Sequence, residues 1–292
     1  MEKILEEEEI YNKTIANENK KREKTEEWIK RFKSKASMAS RAQSKVKMLE
    51  RNGKKDKLST IENLNFKFNY SPYNSKENLL NIKGLNFYYE KENYLIKDLS
   101  FSIKKTDKIC VIGKNGKGKS TLLKLISKDL SPISGSINLH QKTRFGYFGQ
   151  MNIDRLDPVK SIYQEIQSYV PETEETKVRQ VCGNMMFSSK LSNKQIKVLS
   201  GGEKSRVMLG KILLKPANML MLDEPTNHLD LDSCESLLSA IKTFDGAIIM
   251  VTHDEYFLKE IANKLIIFDD NKVSLFEGNY EDFINKIGWK DE

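Results

Sequence analysis

Compact apolar runs alternate with longer amphipathic stretches from about residue 81 onwards. The runs predict β-strands and the stretches between them predict helices. The predicted strands are Asn81–Tyr89, Leu99–Lys104, Ile109–Ile112, Ser136–Leu139, Arg144–Phe148, Met219–Leu222, Ala247–Thr252 and a closing hairpin of Leu265–Asp269 with Lys272–Glu277. Helices are predicted from Lys119 to about Lys128 and over most of residues 158–198. Strands alternating with helices indicate an α/β domain with a parallel sheet, which we assign to residues 81–285, leaving 286–292 as a tail.

The first 52 residues contain neither proline nor glycine and are rich in Glu, Lys, Ala and Gln, which predicts helix. Two apolar stripes, one early and one over residues 36–49, favour two helices packed as an antiparallel hairpin, and Gly53 ends the second. We therefore expect a helical hairpin at 1–57 and an irregular connecting segment at 58–80. The alternative is a solvated, charge-laced helix without a specific function.

Charge is distributed unevenly along the chain. The net charge is +8, and residues 28–57 alone carry eleven basic and two acidic side chains. Such a local excess indicates a polyanionic partner. The sequence contains no run of eighteen apolar residues, so it predicts no membrane-spanning helix. Its three scattered cysteines and three histidines favour neither a disulfide framework nor a zinc site. We expect a cytoplasmic protein.

A glycine-rich segment follows the apolar run Ile109–Ile112 and precedes a predicted helix. It fits the phosphate-binding pattern G-x-x-x-x-G-K-[ST] with Gly113, Asn115, Gly116, Lys117, Gly118, Lys119, Ser120 and Thr121. Its backbone N–H groups and the helix N-terminus attract phosphate oxygens. Lys119 is expected to reach the β- and γ-phosphates, and the Ser120 hydroxyl to bind Mg²⁺. The alternative, a chance glycine-rich turn, does not account for this context.

Two acidic residues end the apolar run Met219–Leu222. Asp223 is placed as a ligand for a hard cation such as Mg²⁺. Glu224, one residue further, is placed to act as a general base for an attacking water. Two acids after a strand are common, and the upstream phosphate loop is what favours the catalytic interpretation.

A third motif, Ser200-Gly201-Gly202-Glu203, precedes the apolar helical stretch Val207–Leu214. Ser200 is suited to cap that helix, and the two glycines expose backbone amides beside it. The motif predicts a second anion-binding surface on the same chain. By itself it is equally consistent with a simple helix cap.

Together with Gln150, Asp230 and His253, these motifs resemble the ATP-binding-cassette family over about residues 81–285. The resemblance implies an ATPase whose cofactors are ATP and Mg²⁺. It further implies that Gln150 senses Mg²⁺ and the attacking water, that His253 contacts the γ-phosphate, and that Asp230 works across a domain interface. An aromatic residue upstream of the phosphate loop stacks on adenine in this family. Tyr89 aligns best with it, with Tyr88 and Tyr94 as alternatives.

Finer features resemble the ABC-F branch of that family. They are the run from Asp223 to Asp230 with Asn227-His228, Glu203 at the end of the third motif, Tyr256-Phe257-Leu258, Gly278-Asn279-Tyr280, and the Arg41–Lys45 core of the basic segment. Transporter motors usually carry small residues in place of Asn227-His228. The resemblance implies a translation or antibiotic-resistance factor that contacts the ribosome, its rRNA and tRNA through residues 28–57.

One departure from the branch concerns chain length. ABC-F proteins carry two cassettes, whereas this sequence has one phosphate loop and one Ser-Gly-Gly motif, matching the linker plus the second cassette. A complete site then requires a second cassette, whether another half of a longer protein or a second copy of a natural half-length chain. Two other functions stay open: the energy-coupling subunit of a membrane transporter, and a switch that binds ATP with little turnover.

Overall fold

The protein is described here from a computed structural model. The chain divides into Met1–Glu62 and Asn63–Glu292. Within the second unit the structure describes residues 66–91, 93–187, 190–227, 229, 231–269 and 272–288. The hairpin predicted for residues 1–57 lies outside the described residues, as do His228 and Asp230.

A six-stranded sheet forms the centre of the domain, with the strand order β5-β6-β7-β3-β8-β9. Its strands are β3 (Lys108–Gly113), β5 (Phe145–Phe148), β6 (Met219–Asp223), β7 (Ala247–Val251), β8 (Lys264–Asp269) and β9 (Lys272–Glu277). The first five are parallel and β9 pairs antiparallel with β8. The predicted α/β fold with a parallel sheet and a closing hairpin is therefore confirmed.

A separate antiparallel sheet has the order β2-β1-β4, formed by β1 (Leu80–Tyr88), β2 (Tyr94–Ile103) and β4 (Ser134–Leu139). The sequence did not predict this second sheet, and the predicted start of β2 at Leu99 was wrong by five residues. Exposed Lys97 and Asp98 lie in the first half of the strand, and Asp98 has a φ of 49°. An edge strand with one solvated face and a distorted position lacks the continuous apolar run of a buried strand.

Helices occupy the connections. They are α1 (Lys119–Ile126), α2 (Gln150–Asp154), α3 (Ile162–Gln167), α4 (Glu175–Asn184), α5 (Gly201–Leu214), α6 (Leu231–Lys242), α7 (Glu255–Ile261) and α8 (Tyr280–Lys286). The largely helical interpretation of residues 158–198 agrees with α3, α4 and two 3₁₀ turns, Leu191–Asn193 and Ile196–Val198. Gly210 of α5 packs closely on Ile166 of α3, and Lys211 pairs with the buried Glu165. These contacts join α5 to α3.

Two apolar clusters lie on opposite faces of the six-stranded sheet. Along β6, Leu220 and Leu222 belong to one cluster while Met219 and Met221 belong to the other. This alternation follows from the period of two along a strand, and both faces are covered, which explains the uninterrupted apolar run. Phe66 and Phe68, in the segment interpreted from sequence as a connection, are buried in the first cluster.

Gly135 provides a test of how β4 approaches β1. Its φ is +88°, and a Cβ there would overlap the carbonyl oxygen of Gly84. We expect Gly135→Ala to lower the free energy of unfolding by about 2 kcal/mol or more, because strain and steric overlap act together. The matched control is Gly183→Ala in α4, where a Cβ meets nothing within 4 Å. Gly183→Ala should increase the free energy of unfolding slightly, by less than about 1 kcal/mol. Urea unfolding of both variants decides, and equal stability would contradict the described contact.

Candidate active site

The phosphate loop connects β3 to α1. Its glycines take conformations that other residues rarely adopt, with φ of +79° at Gly116 and +102° at Gly118. A Cβ at Gly113 would overlap the backbone of Phe268 in the neighbouring strand β8. The loop geometry thus depends on glycine at these positions, which is the requirement that the sequence pattern expresses.

Lys119, the first residue of α1, folds its side chain back over the loop. Its ammonium donates to the carbonyl oxygens of Gly113 at 2.7 Å and Lys114 at 2.9 Å, and to Asn115 Oδ1 at 3.4 Å. Lys119 is only 6% exposed. Burial lowers its pKa, and the carboxylates of Glu224 and Asp223 oppose that shift. A positive charge is therefore held at the loop where phosphate oxygens are expected.

Ser120 and Asp223 lie on different elements and meet directly. The Ser120 hydroxyl donates to Asp223 Oδ1 at 2.9 Å. Burial raises the pKa of Asp223, and the bond from Ser120 opposes that shift. A hydroxyl and a carboxylate are hard oxygen ligands, and Mg²⁺ typically takes few protein ligands and completes its shell with phosphate and water. The pair fits a magnesium ion that is shared with a nucleotide.

Glu224 follows β6 in an unusual backbone conformation, with a φ of +47°. Its N–H donates to the Val251 carbonyl of β7 at 2.9 Å, and its Oε1 lies 3.5 Å from His253 Nε2. Burial and the neighbouring Asp223 raise the pKa of Glu224. Burial and Lys119 lower the pKa of His253, which favours the neutral imidazole. A carboxylate with increased basicity beside a neutral imidazole suits proton transfer from water.

A cavity of about 480 Å³ extends from the phosphate loop. Lys119, Ser120, Glu224 and Tyr89 are among the residues that line it. Tyr89 is 60% exposed and packs edge-on against Phe87, with ring centroids 5.0 Å apart. Tyr88 and Tyr94 instead pack on one another. Among the three tyrosines weighed from sequence, Tyr89 is the one that lines the cavity.

Four further lining residues carried no signal in the sequence: Glu90, Asn93, Leu95 and Val251. The β1–β2 hairpin brings the first three over the phosphate loop, and the Leu95 Cβ would lie 3.3 Å from a Cβ at Gly118. Nothing in their residue types or spacing indicates this approach, apart from their proximity to Tyr89. They were missed because the pairing of two strands, and not a motif, places them.

Ser200 begins α5 in a capping box. Its hydroxyl accepts from the Glu203 N–H at 3.3 Å, and Glu203 Oε2 accepts from the Ser200 N–H at 2.8 Å. Ser200 and Gly201 are exposed, and neither they nor Gly202 line the 480 Å³ cavity. The structure therefore presents the Ser-Gly-Gly motif on a surface separate from the phosphate cavity.

The remaining predicted residues are only partly described. Gln150 is the first residue of α2, directly after β5, and its side chain lies outside the described part, as does the whole of Asp230. Asp254, beside His253, caps α7 by accepting from the N–H groups of Tyr256 and Phe257 at 2.9 and 3.3 Å. The structure thus brings together Lys119, Ser120, Asp223, Glu224 and His253, while Gln150 and Asp230 stay predictions.

Sequence comparisons place this geometry among known proteins. Two family models, both described as "ABC transporter", match residues 1–68 and 96–227. The chain is 34% identical to mouse "ATP-binding cassette sub-family F member 3", over 88% of this chain and 36% of that protein. It is 35% identical to "Probable ATP-binding protein YheS" of Escherichia coli K12, over 88% of this chain and 40% of that protein.

The chain belongs to the ABC-F family of ATP-binding-cassette proteins. This ABC-F chain spans less than half of the length of both relatives. A dimeric cassette solved in a post-hydrolysis state with ADP and Pi matches 68% of this chain and 98% of its own, with a TM-score of 0.59 at 19% identity. That match supports the fold, and the described domain is of the ATP-binding-cassette type. None of the helices among the described residues is long and apolar enough to cross a bilayer.

The partial burial of the Asp223 and Glu224 carboxylates predicts that the folded state of this ABC-F chain is destabilised in a pH-dependent way. Since burial raises the pKa of Asp223 and Glu224, the nucleotide-free folded state takes up protons at a higher pH than the unfolded chain. The cost is present at pH 7.5 and disappears as the pH falls through the raised values. Asp223→Asn, which can still accept from Ser120, should therefore raise Tm at pH 7.5, by roughly 2–4 °C per kcal/mol.

Thermal unfolding with EDTA, at pH 7.5 and in steps down to pH 5, measures this difference. The advantage of Asp223→Asn should shrink as the pH falls. Asp98→Asn, at an exposed position outside the cavity, is the control and should show no such trend. A lower Tm for Asp223→Asn at pH 7.5 would contradict the desolvation argument.

Proposed function

We propose that this chain binds MgATP in the 480 Å³ cavity and hydrolyses it only when a second cassette supplies the Ser-Gly-Gly motif. The observation that carries the proposal is the separation of the two anion-binding features. Lys119 and Glu224 line the cavity, whereas Ser200 and its glycines lie on another surface of the same domain. Two copies arranged head to tail would bring each feature to the other's nucleotide.

Each residue at the cavity has a distinct proposed role. The Lys119 ammonium and the loop amides neutralise phosphate charge, and Tyr89 stacks on adenine. Ser120 and Asp223 would hold Mg²⁺, which when bound offsets the charge that develops on the phosphate oxygens.

The polar groups around the attacking water complete the proposal. Glu224 accepts its proton, assisted by Gln150, and the neutral His253 contacts the γ-phosphate. Asp230 acts across the interface between cassettes. Most of the catalytic effect then comes from positioning and electrostatic stabilisation, as is general for phosphoryl transfer.

Mixing two inactive variants tests the shared site. Lys119→Ala removes the phosphate-binding charge from one chain, and Ser200→Ala removes the hydroxyl from the other. If two copies pair, the mixed dimer has one intact composite site, and an equimolar mixture should recover about a quarter of the wild-type rate. ATPase assays across a dilution series provide the measurement, and the wild-type rate per chain should fall on dilution.

Rapid, dilution-independent turnover by a monomer would contradict the need for pairing. If mixing the two variants restores no ATPase activity, and the rate depends on protein concentration only after a different cassette is added, pairing between identical copies is excluded.

The cellular role we propose is that of a cytoplasmic, ribosome-associated translation or antibiotic-resistance factor. Membership of the ABC-F family supports this role. The positive charge of residues 28–57, which contain eleven basic and two acidic residues, supports it too. Lysine and arginine suit contacts with the sugar–phosphate backbone of rRNA and tRNA, which supply affinity with little sequence readout. The alternative is the energy-coupling subunit of a transporter. The two matching family models, both described as "ABC transporter", are consistent with it.

Charge reversal in the basic segment tests the ribosome role. Glu224→Gln should suppress turnover by roughly 10²–10⁴-fold and accumulate the ATP-bound form. In that background, changing Arg41, Lys45 and Lys47 to Glu should weaken co-sedimentation with ribosomes while ATP binding persists. Binding before the reversals should itself decrease as salt rises, because neutralised phosphates release counterions. Equal co-sedimentation by both proteins would contradict the role of this segment, and co-purification with a membrane partner would favour the transporter alternative.

A further inference from the structure

Two segments near the Ser-Gly-Gly motif run side by side on the surface. The Lys197 N–H donates to the Pro158 carbonyl at 3.2 Å, and the Ile196 N–H donates to the Lys160 carbonyl at 3.0 Å. Ser161 and Gln195 form a bridge that continues this pairing. We call the surface formed by the exposed side chains of residues 158–160 and 190–198, together with the half-buried Lys160 and Lys204, the lysine surface.

The lysine surface has an unbalanced positive charge. Residues 190–204 contain four lysines and one glutamate, a net charge of +3. That glutamate, Glu203, lies 3.7 Å from Lys194. Among the described residues, no carboxylate lies within 4.0 Å of Lys190, Lys197 or Lys204.

Three surface cations elsewhere on the domain are balanced by a neighbouring carboxylate. Arg179, Lys242 and Lys259 each pair with a glutamate on the same or a neighbouring helix. Their charges are balanced within the domain, so they offer little attraction to an external anion. The lysine surface instead contains three lysines, the exposed Lys190 and Lys197 and the half-buried Lys204, that no carboxylate among the described residues approaches within 4.0 Å. These charges would attract a polyanion.

Three large hydrophobic side chains of this surface are exposed. Val159 is 68% exposed and Val198 is 64% exposed, on the two paired segments, and Leu191 is 38% exposed. A stable protein–protein interface needs a larger apolar centre and is depleted in lysine, whereas interfaces with nucleic acids are strongly positive. A surface with four lysines and one glutamate over residues 190–204, and only these three exposed large hydrophobic side chains among its described residues, favours RNA over an acidic protein.

We propose that the lysine surface binds the sugar–phosphate backbone of RNA and forms a second RNA contact of the protein, separate from residues 28–57. This inference rests on the proposed ribosome-associated function and adds a location within the cassette. Its residues lead into Ser200, so bound RNA contacts the segment that positions the Ser-Gly-Gly motif. Lysines act here as point charges, and contacts of this kind carry no base specificity.

The test uses the full chain and a fluorescently labelled 20-nucleotide polyuridylate as the probe. Changing Lys190, Lys197 and Lys204 to Glu should weaken binding by roughly tenfold or more at low salt. The slope of log K against log salt should become shallower by about 2, because a single strand releases roughly 0.7 counterions per contact. The milder Lys→Gln set should give a smaller loss in the same direction. Fluorescence anisotropy measures both, and ATP binding by each variant checks that the cavity is intact.

A matched control separates location from net charge. Lys104, Lys105 and Lys142 are exposed residues outside the lysine surface, and changing them to Glu alters the net charge equally. Binding should stay within about threefold of wild type in this control, since distant exposed charges are largely screened. An equal loss in the control would overturn the proposal in favour of unspecific charge.

Two other outcomes are informative. If the lysine-surface variants bind polyuridylate like wild type while the Arg41, Lys45 and Lys47 reversals abolish binding, the second contact is refuted and the proposed function stands. If polyglutamate of equal charge displaces the probe as effectively as unlabelled polyuridylate, the surface recognises acidic polymers generally and RNA as its ligand is refuted. Retention of the lysine-surface effect in the chain carrying the Arg41, Lys45 and Lys47 reversals would support two independent contacts.

Discussion

The bond from the Glu224 N–H to the Val251 carbonyl continues the parallel pairing of β6 and β7 one residue beyond β6. Because Val251 also pairs with Val111 of β3, the carboxyl ends of three neighbouring strands lie at one edge of the sheet. The phosphate loop, the acidic pair and the His253 turn all start from that edge. A shift of one residue in any of these pairings would turn every side chain of the shifted strand to the opposite face.

The site is electrostatically costly before any ligand binds. Burial raises the pKa of both carboxylates and lowers those of Lys119 and His253, so these four groups are biased towards their neutral forms. The positive φ of Glu224 adds backbone strain at the same point. Such costs are tolerated where packing fixes the surroundings, and here both faces of the sheet are covered by apolar clusters. A preorganised site of this kind needs little rearrangement when charge develops in the reaction.

Local chemistry explains how much of this could be predicted from the sequence. Lys119, Ser120 and Asp223 were identified because loops that bind phosphate and magnesium require particular residue types at fixed spacing. The start of β2 and the lining residues Glu90 and Leu95 could not be identified, because they depend on how two strands pair. The lysine surface shows the same limit, since its two segments are separated by about thirty residues and are brought together by backbone hydrogen bonds. Sequence motifs therefore predicted the chemistry of the cavity, and tertiary pairing determined its walls.

The capping box at Ser200 has a consequence for how one side chain serves two roles. Its oxygen accepts the Glu203 N–H, so the hydroxyl hydrogen is not used by the cap and is free to rotate towards an approaching phosphate oxygen. An aspartate at this position would cap the helix equally well but would have no proton to donate and would repel an anion. In the paired site that we propose, the Ser200 oxygen caps α5 while its hydrogen is available to a neighbour's nucleotide, so the two roles are separable within one hydroxyl group. Selection for a stable helix alone would not distinguish the two residues, whereas selection for an anion partner would keep the alcohol.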